Sequence, residues 1–339
     1  MLLPALVIVT PALAAANNGN WQTARRWAQM LANHYRVRIT DAWGGGEEDL
    51  MIALHARRSA SSVAAWRTIR QGTQGNLVLV LTGTDLYRDI QHDLAAQQSL
   101  ALADRLVVLN ELGLQSLPAA LRHKASVCLQ SAPQRRTQSK TSRHLRALMV
   151  GHLRDEKSPQ TYFKAARLLA VRPDILLDHI GSGLDDTLAA EARALMLRQP
   201  PGRPPKHSNY RWLGGLPHAA TRARIQAAHV LVHASRMEGG AHVVTEAITS
   251  GTPVLASRID GNLGLLGADY AGTFAWGDAE GLAALLRRCR DDAAMLPALQ
   301  AQCAARAPLF HPERERQTLL TLLVDLQRPP PIGEAHERP

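Results

Sequence analysis

The sequence predicts an α/β protein of two domains, each with a parallel β-sheet covered by helices on both faces. The chain has 339 residues, and at about 100–200 residues per domain this length accommodates two domains. Short apolar runs alternate with helical patterns, as in parallel sheets whose strands are connected by helices. A polar, basic stretch at 133–143 contains almost no apolar side chain and separates two such series. Two α/β domains joined by a short linker place a ligand cleft between them.

The first series starts near the N-terminus. Strands are predicted at 6–9, 37–39, 50–54, 77–81 and 106–109, and helices at 21–33 and 61–70. Residues 1–16 are apolar and end in small residues, so a secretory signal peptide is the alternative for this segment. No basic residue precedes the apolar run, and Pro4 and Pro11 interrupt it. We therefore favour a buried strand followed by a loop.

The second series follows the linker. Strands are predicted at 145–150, 175–180, 210–213, 230–233 and 253–256, and helices at 159–170, 188–197, 219–228 and 243–250. A Pro-rich loop is predicted at 200–205, helix over most of 280–327, and a frayed tail at the end. The predicted boundaries are 1–140 and 144–305 for the two domains, 306–328 for a final helix that packs on the first domain, and 329–339 for a flexible tail.

The formal net charge of +10 comes almost entirely from scattered arginines, because only five of the 39 basic residues are lysines. Nucleic-acid tails and membrane anchors concentrate their charge in runs, and aromatic residues for base stacking make up only 4% of the chain. These features argue against nucleic-acid and membrane partners. Three cysteines without metal-type spacing indicate a reducing, cytoplasmic location and no disulfide framework.

The strongest chemical signal is the segment RMEGGAHVVTE at 236–246. Glu238 and Glu246 are eight residues apart, the pair Gly239 and Gly240 follows the first glutamate, and the second lies in a predicted helix. The glycines allow backbone to approach a ligand at a helix N-terminus, where free N–H groups favour phosphate. A glutamate facing the cleft can accept two ribose hydroxyl groups. The alternative is two solvated helix residues, but the glycines and the following GTPV strand favour a ligand site.

This segment resembles the donor-nucleotide signature of retaining glycosyltransferases of family 4. The resemblance implies the GT-B fold, with two Rossmann-like domains facing a central cleft, and a UDP-sugar donor. The sequence departs from the family pattern at residues 240–241, where Gly-Ala replaces the usual Phe-Gly step. The stretch GHLRDEKS at 151–158 is similar to the motif that opens the family's second domain. By that resemblance Lys157 binds the diphosphate, His152 replaces the usual arginine, and Arg154 supplies the missing charge or is a surface residue.

The resemblance also assigns roles around the donor. Lys157 and the helix end at Gly239 and Gly240 stabilise the departing diphosphate, and Glu246 holds the ribose. Glu238 contacts the donor sugar or the oxocarbenium-like centre. His242 touches the donor, or it serves core or rim packing instead. A GT-B enzyme neutralises the diphosphate with cations and a helix dipole, so no metal site and no cofactor are expected.

A narrower resemblance is to the SenB-like selenosugar synthases of selenoneine biosynthesis. It is carried by NGNWQTA at 18–24, LHARRS at 54–59, TGTDLY at 82–87, VGHLRDEK at 150–157, WLGGLPH at 212–218 and SRIDGN at 257–262. It implies that selenophosphate attacks the anomeric carbon of UDP-GlcNAc or UDP-glucose, and that UDP and phosphate are released.

Six residues are predicted on the acceptor side of the cleft, at a helix N-terminus or after predicted strands: Gly19, Asn20, Thr23, His55, Arg57 and Asp85. Cationic and N–H groups suit an anionic acceptor. Since selenophosphate is a strong nucleophile, we expect His55 to position the acceptor. The alternatives are a strand-end histidine for His55 and a turn residue for Asp85.

Two other functions stay open at this point. An ordinary family 4 hexosyltransferase would act on a sugar or lipid hydroxyl, with His55 or Asp85 as the proton acceptor. A nucleotide-sugar-binding or nucleic-acid-binding module is suggested by the charge alone.

Overall fold

The computed structural model describes residues 3–14, 19–70, 76–197 and 208–327. The predicted Pro-rich loop at 200–205 and the predicted tail at 329–339 lie outside the described residues. Within the described part of the chain, two six-stranded parallel sheets confirm the predicted α/β class. Residues 128–144 connect the two sheets without regular secondary structure.

The first sheet has the strand order β2-β1-β3-β4-β5-β6, and all neighbouring strands are parallel. Its strands are β1 (Ala5–Val9), β2 (Arg36–Thr40), β3 (Leu50–Leu54), β4 (Leu77–Leu81), β5 (Arg105–Val108) and β6 (Ala125–Val127). The helices of this half are α1 (Gly19–Leu31), α2 (Ala60–Ile69), α3 (Ile90–His92) and α4 (Leu94–Leu102), with a π-helical turn at Asp85–Asp89 and 3₁₀ helices at Glu111–Ser116 and Ala119–Lys124. Every residue of β1, β3 and β4 is buried, which explains their uninterrupted apolar sequences.

The second sheet has the order β12-β11-β10-β7-β8-β9 and is also parallel. Its strands are β7 (Leu145–Val150), β8 (Ile175–Ile180), β9 (Tyr210–Trp212), β10 (Val230–His233), β11 (Val254–Ser257) and β12 (Thr273–Phe274). The helices of this half are α5 (Pro159–Leu168), α6 (Asp186–Leu197), α7 (His218–Ala227), α8 (His242–Ile248), α9 (Asp260–Leu266), α10 (Ala279–Asp291) and α11 (Met295–Arg306), with 3₁₀ turns at Asp155–Lys157 and Ala307–Phe310.

In each sheet, the chain adds strands first on one side of the starting strand and then on the other. The reversal lies between β1 and β3 in the first sheet and between β7 and β10 in the second. Open α/β sheets bind ligands at such points, beyond the carboxyl ends of the strands. The loops after these four strands therefore mark where a ligand site is expected.

The last helix, α12 (Pro312–Gln327), packs on the first half of the chain although it follows the second half in sequence. Its buried residues Leu319 and Leu323 share a hydrophobic cluster with Leu6 of β1 and Trp27 of α1. The chain therefore crosses between its two halves twice, once in the connector and once before α12.

The sequence pattern does not predict every strand and helix. The strands β6 and β12 have three and two residues and lie at sheet edges, so they are too short to produce a recognisable apolar pattern. The pattern also does not predict helices α4 and α9. The helical region predicted at 280–327 contains three helices, α10, α11 and α12.

Candidate active site

The two halves of the chain touch at Gly83, after β4, and Gly239, after β10. A Cβ atom added at Gly239 would lie 2.3 Å from the carbonyl carbon of Thr82. The side-chain amide of Asn110, after β5, donates to the carbonyl oxygen of Gly239 at 2.7 Å. These contacts bring the carboxyl ends of the two sheets face to face, and the residues described next lie around them.

Lys157 and Glu238 form an ion pair at the reversal point of the second sheet. Lys157 follows β7 and Glu238 follows β10, and the Lys157 Nζ lies 2.5 Å from the Glu238 Oε1. The Nε2 of His233, the last residue of β10, lies 3.2 Å from the same oxygen. Burial raises the pKa of Glu238, but Lys157 and His233 outweigh burial and hold this pKa well below its usual range. The Glu238 carboxylate is therefore ionised beside a cation.

Glu246, in α8, is buried among three basic side chains. Its Oε1 lies 2.5 Å from the His218 Nε2, 3.5 Å from the His242 Nδ1 and 3.7 Å from the Arg222 Nε. Burial raises the pKa of Glu246, but the hydrogen bond from His218 and the neighbouring positive charge lower it overall. Among the described residues, no group hydrogen-bonds the other oxygen, Oε2, so that oxygen is available to a ligand.

His242 is held by the connector between the sheets. Its Nε2 lies 2.9 Å from the carbonyl oxygen of Ser131, and since a carbonyl only accepts, the ring proton is on Nε2. Burial, followed by the charge of Arg26, lowers the pKa of His242 to about 4. The ring is therefore neutral at neutral pH, and the guanidinium group of Arg222 supplies positive charge near Glu246.

His152 and Arg154 lie in the loop after β7. The Nδ1 of His152 accepts the backbone N–H of Ser182 at 3.0 Å. Burial, reinforced by the charges of Arg154 and Lys157, lowers the pKa of His152. Arg154 is 47% exposed, and its Nε lies 4.0 Å from Glu156. His152 is thus a neutral residue that organises the loop, whereas Arg154 is free to reorient.

The pair Gly239 and Gly240 approaches the other half of the chain. A Cβ atom added at Gly240 would lie 2.7 Å from the Cβ of Leu109. The sequence predicts that these glycines bring backbone close to a ligand at a helix N-terminus. Here the close approach is to Thr82 and Leu109, and α8 begins only at His242. The glycines therefore allow the two halves to come into contact.

On the opposite side of the contact, His55 directly follows β3 and has a φ of 74°, which is uncommon for a residue with a side chain. Its Nε2 lies 3.1 Å from the Thr84 Oγ1 and 3.9 Å from the Asp89 Oδ2. Burial lowers the pKa of His55, although Asp85 and Asp89 act in the opposite sense. The structure thus holds a neutral imidazole in a strained backbone conformation at the end of a strand.

Arg57 and Arg88 share the carboxylate of Asp89. The Arg57 Nε donates to Asp89 Oδ2, and the Arg88 Nε donates to Oδ1, both at 2.9 Å. The two arginine side chains are 41% and 42% exposed, whereas that of Asp89 is 6% exposed. One buried carboxylate is therefore shared by two accessible guanidinium groups close to His55, and both can also donate to an anion.

Asp85 does not face the cleft. It is fully buried. Its Oδ1 accepts the backbone N–H groups of Thr82 and Gly83, and its Oδ2 accepts that of Ala56, all at 2.9 Å. The sequence predicts direct contact between Asp85 and an acceptor, but this burial is incompatible with such a contact. Asp85 instead ties the loop after β3 to the loop after β4.

Gly19, Asn20 and Thr23 lie at the start of α1, beyond the carboxyl end of β1. Thr23 is buried, and its hydroxyl group donates to the carbonyl oxygen of Gly19 at 2.8 Å. The side-chain amide of Gln130 lies 2.7 Å from the same hydroxyl. Gly19 is exposed and Asn20 half-buried, so these two residues are the accessible part of the group.

Several residues around the site were not assigned a role from the sequence: Asn110, Gln130, Ser131, His218, Arg222 and Glu315. The sequence could have indicated that His218 and Arg222 act together, because residues four apart at the start of α7 lie on one face of the helix. No local pattern could have indicated Glu315, because its partners belong to distant parts of the chain.

In the described part of the chain, no group of three or more His, Cys, Asp or Glu side chains could hold a metal ion. The described helices also include none that is long and apolar enough to cross a membrane.

The family model for glycosyl transferases group 1 matches residues 130–308, more than half of the chain. The chain belongs to this family. It is therefore a glycosyltransferase, and its two facing parallel-sheet units are those of the GT-B fold. A comparison with curated proteins gave no match.

Solved structures share the fold of this glycosyltransferase at low sequence identity. Sucrose-phosphate synthase from Thermosynechococcus elongatus has a TM-score of 0.73 and 16% identity, over 96% of this chain and 99% of that one. Anabaena HepE, solved in complex with UDP and glucose, has a TM-score of 0.71 and 15% identity, over 96% and 100%. S. aureus TarM, in complex with Fondaparinux, alpha-GlcNAc-glycerol and UDP, has a TM-score of 0.63 and 12% identity. The match covers 81% of this chain but only 55% of TarM.

Proposed function

We propose that this glycosyltransferase takes a UDP-sugar donor at the reversal point of its second sheet. The observation that carries the proposal is the Lys157–Glu238 ion pair, with 2.5 Å between Nζ and Oε1. It sets a cation where a leaving diphosphate needs one, beside a carboxylate that can accept sugar hydroxyl groups. Two proteins of similar fold, TarM and HepE, were solved with UDP, which supports the same nucleotide here.

In the proposed complex, Glu246 accepts ribose hydroxyl groups through its unoccupied Oε2. Lys157 moves from Glu238 to the diphosphate, and Glu238 then binds the donor sugar. Arg154 swings toward the phosphates from its exposed position, while His152 holds the shape of the loop. Gly239 and Gly240 keep the two halves close enough to exclude water, which would otherwise hydrolyse the donor. His242 lies beside Glu246 on the nucleotide side, and no metal or other cofactor takes part.

We further propose that the acceptor is selenophosphate. The proposal rests on the resemblance of six sequence segments to selenosugar synthases, and an accessible positive charge at Arg57 and Arg88 supports an anionic acceptor. His55, together with Gly19, Asn20 and the Thr23 end of α1, positions this anion. A neutral His55 suits positioning, because a selenium nucleophile that is already anionic needs no base.

The proposed chemistry is substitution at the anomeric carbon. The selenium atom of selenophosphate forms a C–Se bond, and the bond from the anomeric carbon to the UDP oxygen breaks with its electron pair leaving on UDP. Water then cleaves the Se–P bond, which releases phosphate and leaves the selenosugar. Lys157 stabilises the charge that grows on the diphosphate in the first step.

The second candidate is transfer to a hydroxyl group of a sugar or lipid. The proximity of the His55 Nε2 to the Asp89 Oδ2, at 3.9 Å, favours it, because a carboxylate beside a histidine supports proton abstraction. Asp85 cannot be the base in this reaction, since its oxygens already hold three backbone N–H groups.

The test mixes purified protein with UDP-GlcNAc or UDP-glucose, with and without selenophosphate, and follows UDP release and product mass. We expect UDP release that depends on selenophosphate and a product whose mass includes selenium. UDP release only with a sugar or lipid acceptor would select the second candidate. Oligonucleotide binding without turnover of any nucleotide sugar would reject both.

A further inference from the structure

Glu315, in α12, is a buried carboxylate for which the proposed reaction has no role. Its side chain has no solvent exposure. The indole N–H of Trp27 donates to Oε1 at 2.7 Å, and the guanidinium group of Arg26 contacts both oxygens at 3.1–3.3 Å. A carboxylate buried this completely is costly unless its partners are fixed, so the cluster holds a defined geometry.

Glu315 also fixes the connector between the two sheets. The backbone N–H and the hydroxyl group of Ser131 donate to Oε2 at 2.8 and 2.6 Å. The next residue, Ala132, donates its N–H to the carbonyl oxygen of Phe310 at 3.2 Å, just before α12. The two crossings of the chain between its halves are therefore bound together, and Glu315 lies where they meet.

Ser131 also holds His242, which lies beside Glu246. Its carbonyl oxygen accepts from the His242 Nε2 at 2.9 Å, which leaves Nδ1 without a proton in the neutral ring. This Nδ1 lies 3.5 Å from the Glu246 Oε1. Because Oε1 already accepts from His218, the acceptors left for a ligand are Nδ1 and the Oε2 of Glu246, and ribose brings two adjacent hydroxyl donors.

We propose that Glu315 is a positioning residue for the nucleotide site, which through Ser131 orients His242 so that Nδ1 and Glu246 together accept the ribose hydroxyl groups. This rests on the proposed function, because it takes the ligand of Glu246 to be a nucleotide. It assigns His242 a contact with the ligand and couples the C-terminal helix to donor affinity.

The test compares Glu315→Gln with Glu313→Gln, an exposed position on the same helix whose partner is Arg316. Glutamine has nearly the same shape as glutamate, but an NH₂ group replaces one carboxylate oxygen. This NH₂ group would face the hydrogen-bond donors of Ser131 or Trp27. We expect UDP to bind Glu315→Gln about fivefold more weakly by calorimetry. The KM for the UDP-sugar should rise by a similar factor with little change in kcat. Glu313→Gln should match the wild type in both measurements.

A second measurement does not depend on UDP. Nitrogen-15 NMR of the imidazole rings, with His242 assigned by the spectrum of His242→Asn, should detect the Nε2–H form in the wild type and a change of that signal in Glu315→Gln. If Glu315→Gln does not fold, Ser131→Ala removes one bond to Glu315 and should move the same signal while weakening UDP binding about twofold.

Folded Glu315→Gln with wild-type affinity for UDP and an unchanged His242 signal would overturn the inference. Wild-type protein that does not bind UDP would overturn the proposed function and the ribose contact with it. In that case the His242 signal still decides whether Glu315 sets the state of the ring.

Discussion

The ammonium group of Lys157 lies 2.5 Å from the carboxylate of Glu238 across the reversal point of the second sheet. The two residues are 81 positions apart in the chain and meet because β7 and β10 are neighbours. Each charge neutralises the other. Under the proposed function, a phosphorylated ligand competes with Glu238 for Lys157, and its binding frees Glu238 for the sugar.

Replacing Lys157 with alanine should lower kcat about 100- to 1000-fold, because the charge that develops on the leaving diphosphate loses its nearest cation. UDP release under saturating donor measures this effect. Lys164→Ala, at an exposed position in α5, serves as the control and should keep wild-type turnover. Equal activity of Lys157→Ala and Lys164→Ala would exclude Lys157 from the reaction.

Glu246→Ala should weaken UDP binding by about tenfold while changing kcat at saturating donor much less. The physical reason is that Glu246 is expected to bind the nucleotide, which is held similarly before and during the reaction. Calorimetry with UDP and steady-state kinetics separate the two effects. The exposed Glu280, in the first turn of α10, provides a control in Glu280→Ala. A loss of kcat without a loss of affinity would contradict the assignment.

Gly239→Ala should keep the two halves of the molecule apart. The added methyl group would lie 2.3 Å from the Thr82 carbonyl carbon, and backbone there has little freedom to move. We expect a larger radius of gyration by small-angle X-ray scattering and at least a tenfold loss of turnover. Gly44→Ala, where no atom lies within 4 Å of an added Cβ, should change neither quantity.

Acidification should destabilise the protein through His179, which is buried in β8. Burial lowers the pKa of His179 to about 4 from an ordinary value of 6.5. Between these values the unfolded chain binds a proton at this position and the folded protein does not, so stability falls as the pH falls. From pH 6.5 to pH 5 the loss is at most about 2 kcal/mol for this one group.

Thermal unfolding at several pH values tests this expectation. His179→Gln should flatten the dependence of Tm on pH between 6.5 and 5, although it lowers Tm overall because Tyr210 and Gly151 lose their partner. The exposed His123→Gln should leave the dependence unchanged. A slope in His179→Gln as steep as that of the wild type would assign the acid sensitivity to other groups.

The strands and helices that carry the sheets could be predicted because their apolar patterns are local. Residues 50–54 and 77–81 are continuous apolar runs, and both are fully buried strands. Lys157, Glu238 and Glu246 could be selected because they lie in segments with a recognisable spacing after predicted strands. The placement of Glu238 and Gly239 beside Gly83, in the other half of the chain, could not be read from spacing.

The sequence does not predict the environment of other residues, because distant segments of the chain form that environment. Asp85 has the sequence context of an exposed turn, yet the loops after β3 and β4 enclose it completely. Glu315 has the local pattern of a helix surface, and only the return of α12 to the first half surrounds it with Arg26, Trp27 and Ser131.

The sequence alone determines the two α/β units and the charged groups in the segments that follow their strands. These features could be predicted because each depends on only a few neighbouring residues. Which of these groups meet, which carboxylates are enclosed and which atoms still face a ligand depend on how the two sheets and α12 pack. Hydrogen bonding and burial are set by distances in space, and residues such as Ser131 and Glu315, 184 positions apart, come together only in the folded molecule.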